Sequence, residues 1–251
     1  MSTLTDDDLY VRGTETLLAA WEEYARGATA ASVQRHPGVS AAVFPNDPER
    51  AVYNNAVLGH DLAPAERIDA LNAMEAVYAE AGITHFAAWI HETDGAMRDD
   101  LESRGYELEE TTRAMGMSLD DVQLPRPELD LGPADWADYL RILELPADFL
   151  AAADQEAYEI LVARLDGGSV ATAIAFDHHG DCGIYNVTTH ERARRRGIGT
   201  ALTAIHLHDA LARGCETASL QSTDVAERVY ASVGFRDLGR ILEFVRRHPR
   251  R

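Results

Sequence analysis

The chain has 251 residues, with 42 acidic side chains against 23 basic ones, all of them arginine, and a formal net charge of −19. This length suits one large domain or two of ordinary size, and a chain 46% hydrophobic and 26% charged has a globular composition with no apolar run long enough to span a bilayer. The negative field argues against nucleic acid as a partner, the acidic start MSTLTDDDLYVRG lacks the pattern of a signal peptide, and the missing lysine removes that side chain as base or Schiff-base former.

In chain order, residues 5 to 28 read as a helix, with Leu9, Leu17, Leu18, Trp21 and Tyr24 at helical spacing and acids in the first turn. Strands are expected over 31–44 and 51–58, separated by the turn Pro45-Asn46-Asp47-Pro48. A helix over 63–81, a buried strand over 83–90 and a short helix over 94–104 follow, with Gly105 as its stop. Residues 106–119 are β-branched enough for one long strand or a pair. Asp120 to Asp130, DDVQLPRPELD, carries two prolines and suits an exposed connector. Beyond it, Leu129 to Leu131 should begin a strand, 134–145 and 147–157 should be helices, and 160–165 and 169–176 should form a hairpin around Asp166-Gly167-Gly168. His178-His179-Gly180-Asp181 reads as a turn. Cys182 and Cys215 adjoin expected strands and read as buried free thiols, too few for a disulfide scaffold or zinc site.

The most specific stretch is 183–204, GIYNVTTHERARRRGIGTALTA. Gly183 to Thr189 reads as a strand. Arg194, Gly197 and Gly199 then form R-x-x-G-x-G, and an apolar-periodic helix starts at Thr200. Glycines let backbone N–H groups turn inward, and the helix start adds unpaired donors and partial positive charge, a combination suited to a pyrophosphate. A dinucleotide-binding G-x-G-x-x-G needs a third glycine where Leu202 stands. Downstream, a strand at 217–222, a short helix carrying Tyr230, and Gly234-Phe235 complete the pattern. His206 and His208, two apart on a helix, point in different directions and read as structural, so no metal is expected.

These two motifs resemble those of the GNAT superfamily of acyl-CoA-dependent N-acyltransferases, with Glu191 where that family often has proline. The resemblance implies an α/β fold built on a mixed, mostly antiparallel twisted sheet flanked by helices. It also implies acetyl-CoA as co-substrate, held by Val187, Thr188, Thr189, Arg194, Arg195, Arg196, Gly197, Ile198, Gly199 and Thr200. Tyr230 would be the catalytic acid for the departing thiolate. No carboxylate stands on the strand over 183–189, and the general base stays open among Tyr185, Asn186, His190, Glu144 and Asp148.

An internal repeat extends the reading. HETDGAMRDDLESRGYELEETTRAMGMSL echoes QSTDVAERVYASVGFRDLGRILEFVRR, with Thr93-Asp94 answering Thr223-Asp224 and Gly105-Tyr106 answering Gly234-Phe235. Two tandem GNAT-type units are therefore expected, a degenerate one over 1–120, a linker over 121–130 and a catalytic one over 131–251. Where the second has RARRRGIGTAL the first has DLAPAERIDAL, and Leu101 stands in the place of Tyr230. The expected activity is transfer of an acetyl group to a small-molecule amine in a ternary complex, in the cytoplasm, without nucleic acid or membrane partners and with a homodimer left open. An acyl-CoA-binding module without catalysis, or an acyltransferase using a carrier-protein donor or a hydroxyl acceptor, are the alternatives.

Overall fold

A computed structural model describes residues 4–46, 53–133, 136–145 and 154–246. The first helix, α1, runs Asp6–Arg26. Its start is fixed reciprocally, the Asp8 N–H donating to the Thr5 hydroxyl at 3.1 Å and the Thr5 N–H donating to the Asp8 carboxylate at 2.9 Å.

The single strand expected over 31–44 is a hairpin, β1 (Ser32–His36) and β2 (Val39–Val43), paired antiparallel. Pro37-Gly38 makes the turn, with Gly38 at φ +77. The next strand begins later than expected, as β3 (Asn55–Leu58), while residues 47–52, with half of the expected turn, lie outside the described residues. Helix α2 (Pro64–Glu80) leads to β4 (Ala87–His91). Ile83, expected in that strand, is buried but closes α2, its N–H donating to the Tyr78 carbonyl at 2.9 Å. Asp94 caps α3 (Gly95–Ser103) by accepting from the Met97 N–H, and β5 (Tyr106–Ser118) is one long strand.

Leu129 to Leu131 forms no strand, only one isolated bridge from Leu131 to Ala163. Helix α4 spans Trp136–Ile142. The helix expected over 147–157 falls mostly outside the described residues, with Phe149 and Asp148, and its end is one 3-10 turn, Gln155–Ala157. The chain then runs through β6 (Glu159–Leu165), β7 (Gly168–His178), β8 (Asp181–Thr189), α5 (Ile198–Arg213), β9 (Thr217–Ser222), α6 (Glu227–Ser232) and β10 (Arg236–Arg246). Asp166 and Gly167 take positive φ in the β6–β7 turn, as do His179 and Gly180 in the next.

These elements form two compact units, each from two pieces of chain. The first takes residues 1–20 and 113–238, the second residues 21–112 and 239–251. In the first, strands are hydrogen-bonded in the order β5-β9-β8-β7-β6, antiparallel except for β8 with β9. In the second the order is β1-β2-β3-β4-β10-β5, with β3 and β4 parallel. In each unit the strands are mixed in direction and covered by helices. The second unit packs Leu71, Met74 and Tyr78 of α2 on Val43, Ala88 and Phe244. The first packs Leu207 and Ala210 of α5, Tyr230 of α6 and Val233 just after it on Met117, Ile184 and Leu220. In that first unit α1 lies close to β9, since a Cβ at Gly13 would stand 2.7 Å from the Ser219 Cβ.

Candidate functional site

The site is built in the first unit, at the carboxyl end of β8. Strand β9 is paired with β5 along its whole length, Thr217 to Ser222. It pairs with β8 only from Thr217 to Ser219, opposite Asp181 to Gly183. Among the described residues, β8 therefore has no strand partner on its β9 side from Ile184 to Thr189, which leaves a gap in the ladder toward Leu220–Ser222. Backbone groups along such an edge need partners.

On its other edge β8 stays with β7, but the register slips: Thr188 faces Thr172, while Tyr185 faces Ile174. Asn186 and Val187 thus oppose Ala173 together, a β-bulge with Asn186 at φ 53. Asparagine is among the few residues that enter this region readily. The Asn186 amide donates to the Tyr139 hydroxyl at 2.7 Å.

The turn after β8 is held by its own backbone. The His190 N–H donates to the Val170 carbonyl at 2.8 Å, Ala193 is buried, and the Arg194 Nε donates to the Thr189 carbonyl at 3.1 Å. Arg194 therefore ties down the strand end. Arg195 (φ 61) and Gly197 (φ 76) both take left-handed conformations. Left-handed residues of this kind let a turn present backbone N–H groups to an anion. No side chain caps α5 at Gly197. None of Arg192, Arg194, Arg195 and Arg196 makes an ion pair among the described residues, in a chain with 42 acids.

Gly199 is informative because nothing in the protein requires it. Its φ is not left-handed, and an added Cβ would meet only the Val187 Cγ1 at 3.7 Å and the Thr189 Oγ1 at 3.9 Å. Those are ordinary contacts. The space in front of Gly199 is bordered by α5 and the end of β8, and Ile198 beside it is buried. Thr200 lies in the same first turn and is half-buried. Val187 and Thr189 stand nearest Gly199, Arg194 is bonded to Thr189, and Thr188 and residues 195 to 200 belong to the same strand end and turn.

Tyr230 sits in α6, with its ring edge-on to Phe235 at 6.1 Å. It is buried, and desolvation pushes its pKa up to about 12. Gly234, at φ 112, turns the chain from α6 into β10. The hydroxyl of Tyr185 is buried beside Gly183, and burial raises its pKa far above the ordinary value. His206 is buried and held neutral, its pKa lowered to about 4 chiefly by desolvation, and His208 meets the Leu124 carbonyl at 2.8 Å. Cys182 and Cys215 are buried free thiols raised by desolvation and by Asp177, Cys215 to about 12. Among the described residues no group of three His, Cys, Asp or Glu side chains is placed to hold a metal, and no helix is long and apolar enough to cross a membrane.

The sequence reading missed the bulge at Asn186, the left-handed Arg195 and the hydroxyl of Tyr139. Asn186 alone carried a signal, as an asparagine inside a β-branched run.

A parallel pair that parts, a glycine-bearing turn and a helix without a side-chain cap thus stand together at the end of β8, and comparison with known proteins bears on the fold that carries them. Residues 156–237 match the family model described as the acetyltransferase (GNAT) domain. A search of the curated proteins finds no match. Among solved structures, the chain is similar to a GCN5-related N-acetyltransferase from Kribbella flavida, with a TM-score of 0.71 at 17% identity over 94% of this chain and 96% of that one. A second GCN5-related N-acetyltransferase, from Sphaerobacter thermophilus, gives 0.62 at 18% identity over 95% and 93%. A tandem GNAT protein from the clavulanic acid biosynthesis pathway gives 0.62 at 14% over 99% and 98%. At these identities the likeness establishes the fold, that of the GCN5-related N-acetyltransferases.

Proposed function

We propose that the protein is an acetyl-CoA-dependent N-acetyltransferase that passes the acetyl group directly to a small-molecule amine in a ternary complex. The observation that carries this reading is Gly199, in the first turn of α5, where no left-handed φ calls for glycine and an added Cβ would meet only Val187 and Thr189, both at ordinary contact distance. Backbone N–H groups of Arg195 to Thr200 would take the pyrophosphate there, with Arg195 and Arg196 adding charge. The pantetheine would lie in the gap and pair with the free edge of Val187 to Thr189, one of whose donors would face the thioester oxygen. A preorganised donor of this kind is worth about 3 kcal/mol in the transition state.

The attacking nitrogen, neutral at the moment of reaction, forms the C–N bond as C–S breaks, and the proton the amine gives up is the one the thiol finally carries. Tyr230, with its pKa near 12, is protonated at every working pH. Handing that proton outright to a thiolate of ordinary pKa, about 8.5, is uphill by roughly 5 kcal/mol. Tyr230 therefore acts first as a hydrogen-bond donor to the sulfur as charge gathers on it, and complete transfer awaits a proton that replaces its own. The carboxylate missing from 183–189 leaves the general base unassigned.

The tandem reading, 1–120 and 131–251 joined by 121–130, belongs to the same proposal. It is supported by a recurring plan: each unit has one parallel pair, β3 with β4 and β8 with β9, linked by one helix, α2 or α5. Glycines at positive φ, Gly105 and Gly234, end the short helices in both. The N-terminal unit is read as degenerate because the start of α2 is filled from within, Glu66 accepting from the Ala63 N–H at 2.8 Å and Pro64 contributing no N–H. Localisation in the cytoplasm and the absence of nucleic acid or membrane partners remain parts of this proposal, with a homodimer left open. The test is to incubate the protein with acetyl-CoA and a panel of primary amines, following free thiol and acetylated product. Transfer that is lost in Gly199→Asp supports the reading; a panel without turnover, from a protein that nevertheless binds acetyl-CoA, would favour the non-catalytic module.

A further inference from the structure

Tyr139 is joined to the proposed reaction by a hydrogen bond from Asn186. It lies in α4, 3% exposed, with its ring 5.1 Å from that of Trp136. Its hydroxyl accepts from Asn186, the residue in left-handed conformation at the β8 bulge. Helix α4 packs on β7 and β6 and is fixed there independently of this hydroxyl: Trp136, Leu140 and Ile142 are buried, and the Ser169 hydroxyl donates to the Asp138 carboxylate at 2.7 Å.

The bulge in turn determines where β8 goes. Above it, Thr188 and Thr189 are paired with Thr172 and Ala171; below it, Tyr185 and Ile184 are paired with Ile174 and Ala175. The two residues between them face one, so the strand bends and twists at Asn186. The segment it re-aims, Val187 to Thr189, is the one whose other edge has left β9. Asn186 is exposed, and its amide is held from outside the strand, by the Tyr139 hydroxyl.

We propose that Tyr139 is a positioning residue for acyl transfer: by holding Asn186 from α4, it fixes the bulge and so the direction in which the backbone of Val187 to Thr189 faces the thioester. This rests on the acetyltransferase reading above.

The test uses the full chain as wild type, Tyr139→Phe, Asn186→Gly and the double variant. Glycine keeps the left-handed backbone and removes only the amide. Loss of the hydroxyl should lower kcat roughly three- to tenfold, the effect of one ordinary hydrogen bond. The loss should fall on kcat more than on KM for acetyl-CoA, and the melting temperature should stay at the wild-type value because α4 is held by its other contacts. Amide hydrogen exchange at 186–189 should quicken in every variant, and the double variant should be no worse than either single one. Unchanged exchange in Tyr139→Phe overturns the tether whatever the enzyme does. Faster exchange with unchanged kcat overturns its role in catalysis, as does a double variant in which the two losses multiply. A wild-type protein that neither binds acetyl-CoA nor turns over sinks the acetyltransferase reading and this role together, and it is recognised from the wild type alone.

Discussion

Replacing Gly199 by alanine should move stability and affinity in opposite directions. Gly199 is the second residue of α5, in helical conformation, and its new methyl would stand 3.7 Å from Val187 and 3.9 Å from Thr189 without a clash. Glycine in a helix costs about 0.8–1 kcal/mol relative to alanine, less in the first turn, so the ligand-free protein should gain up to about 1 kcal/mol. In a chain of this size that is about 2–4 °C in Tm at most. The same methyl would occupy the space assigned to a pyrophosphate oxygen. Losing one charge-assisted hydrogen bond there, about 1.5–3 kcal/mol, weakens acetyl-CoA roughly ten- to hundredfold. Thermal melting and calorimetric titration on the same preparation read both effects. A variant that melts higher and binds acetyl-CoA as tightly as the wild type would refute the placement of the pyrophosphate.

Tyr230→Phe should lower kcat by about a hundredfold with acetyl-CoA affinity preserved, and an unchanged rate removes the tyrosine from the chemistry. Glu243, in the second unit, has its pKa raised to about 7 by burial first and then by Glu110. A carboxyl that holds its proton more tightly when folded favours the fold below its unfolded pKa, near 4.5, and loses that contribution as pH rises through 7. Glu243→Gln should therefore raise Tm at pH 8 relative to wild type, by an amount corresponding to at most about 3 kcal/mol, and the gap should shrink toward pH 5. A difference that stays constant with pH contradicts the raised pKa. Gly13→Ala should destabilise by about 1–3 kcal/mol in denaturant unfolding, because its Cβ would press on Ser219 at 2.7 Å. A neutral result would mean that α1 moves off β9 at little cost.

What could be read from the sequence follows from how local each signal is. Gly197 was legible because a left-handed N-cap needs a residue without Cβ strain, and φ 76 is what the structure shows. Arg195 takes the same conformation at φ 61 with no signature, held there by the closed turn around it. The hairpin hidden in 31–44 was a matter of turn chemistry passed over, since Pro37-Gly38 is as plain a turn as Asp166-Gly167. Leu129 to Leu131 has strand composition but finds one bridging partner, Ala163, and pairing is decided by distant chain. For the same reason the gap between β8 and β9 is invisible in either strand alone: it depends on where a parallel register stops. The composition of the two units was equally hidden, since residues 1–20 pack with 113–238 and 239–251 with 21–112.

The central claim is tested most directly by calorimetric titration of the purified wild-type protein with acetyl-CoA and with free CoA, fitting the number of sites per chain. One site of about micromolar affinity is the expected result, from the intact turn at Gly197–Gly199 beside an α2 start already filled by Glu66. Two sites would contradict the degenerate reading of the N-terminal unit, and no binding of either ligand would contradict the account as a whole.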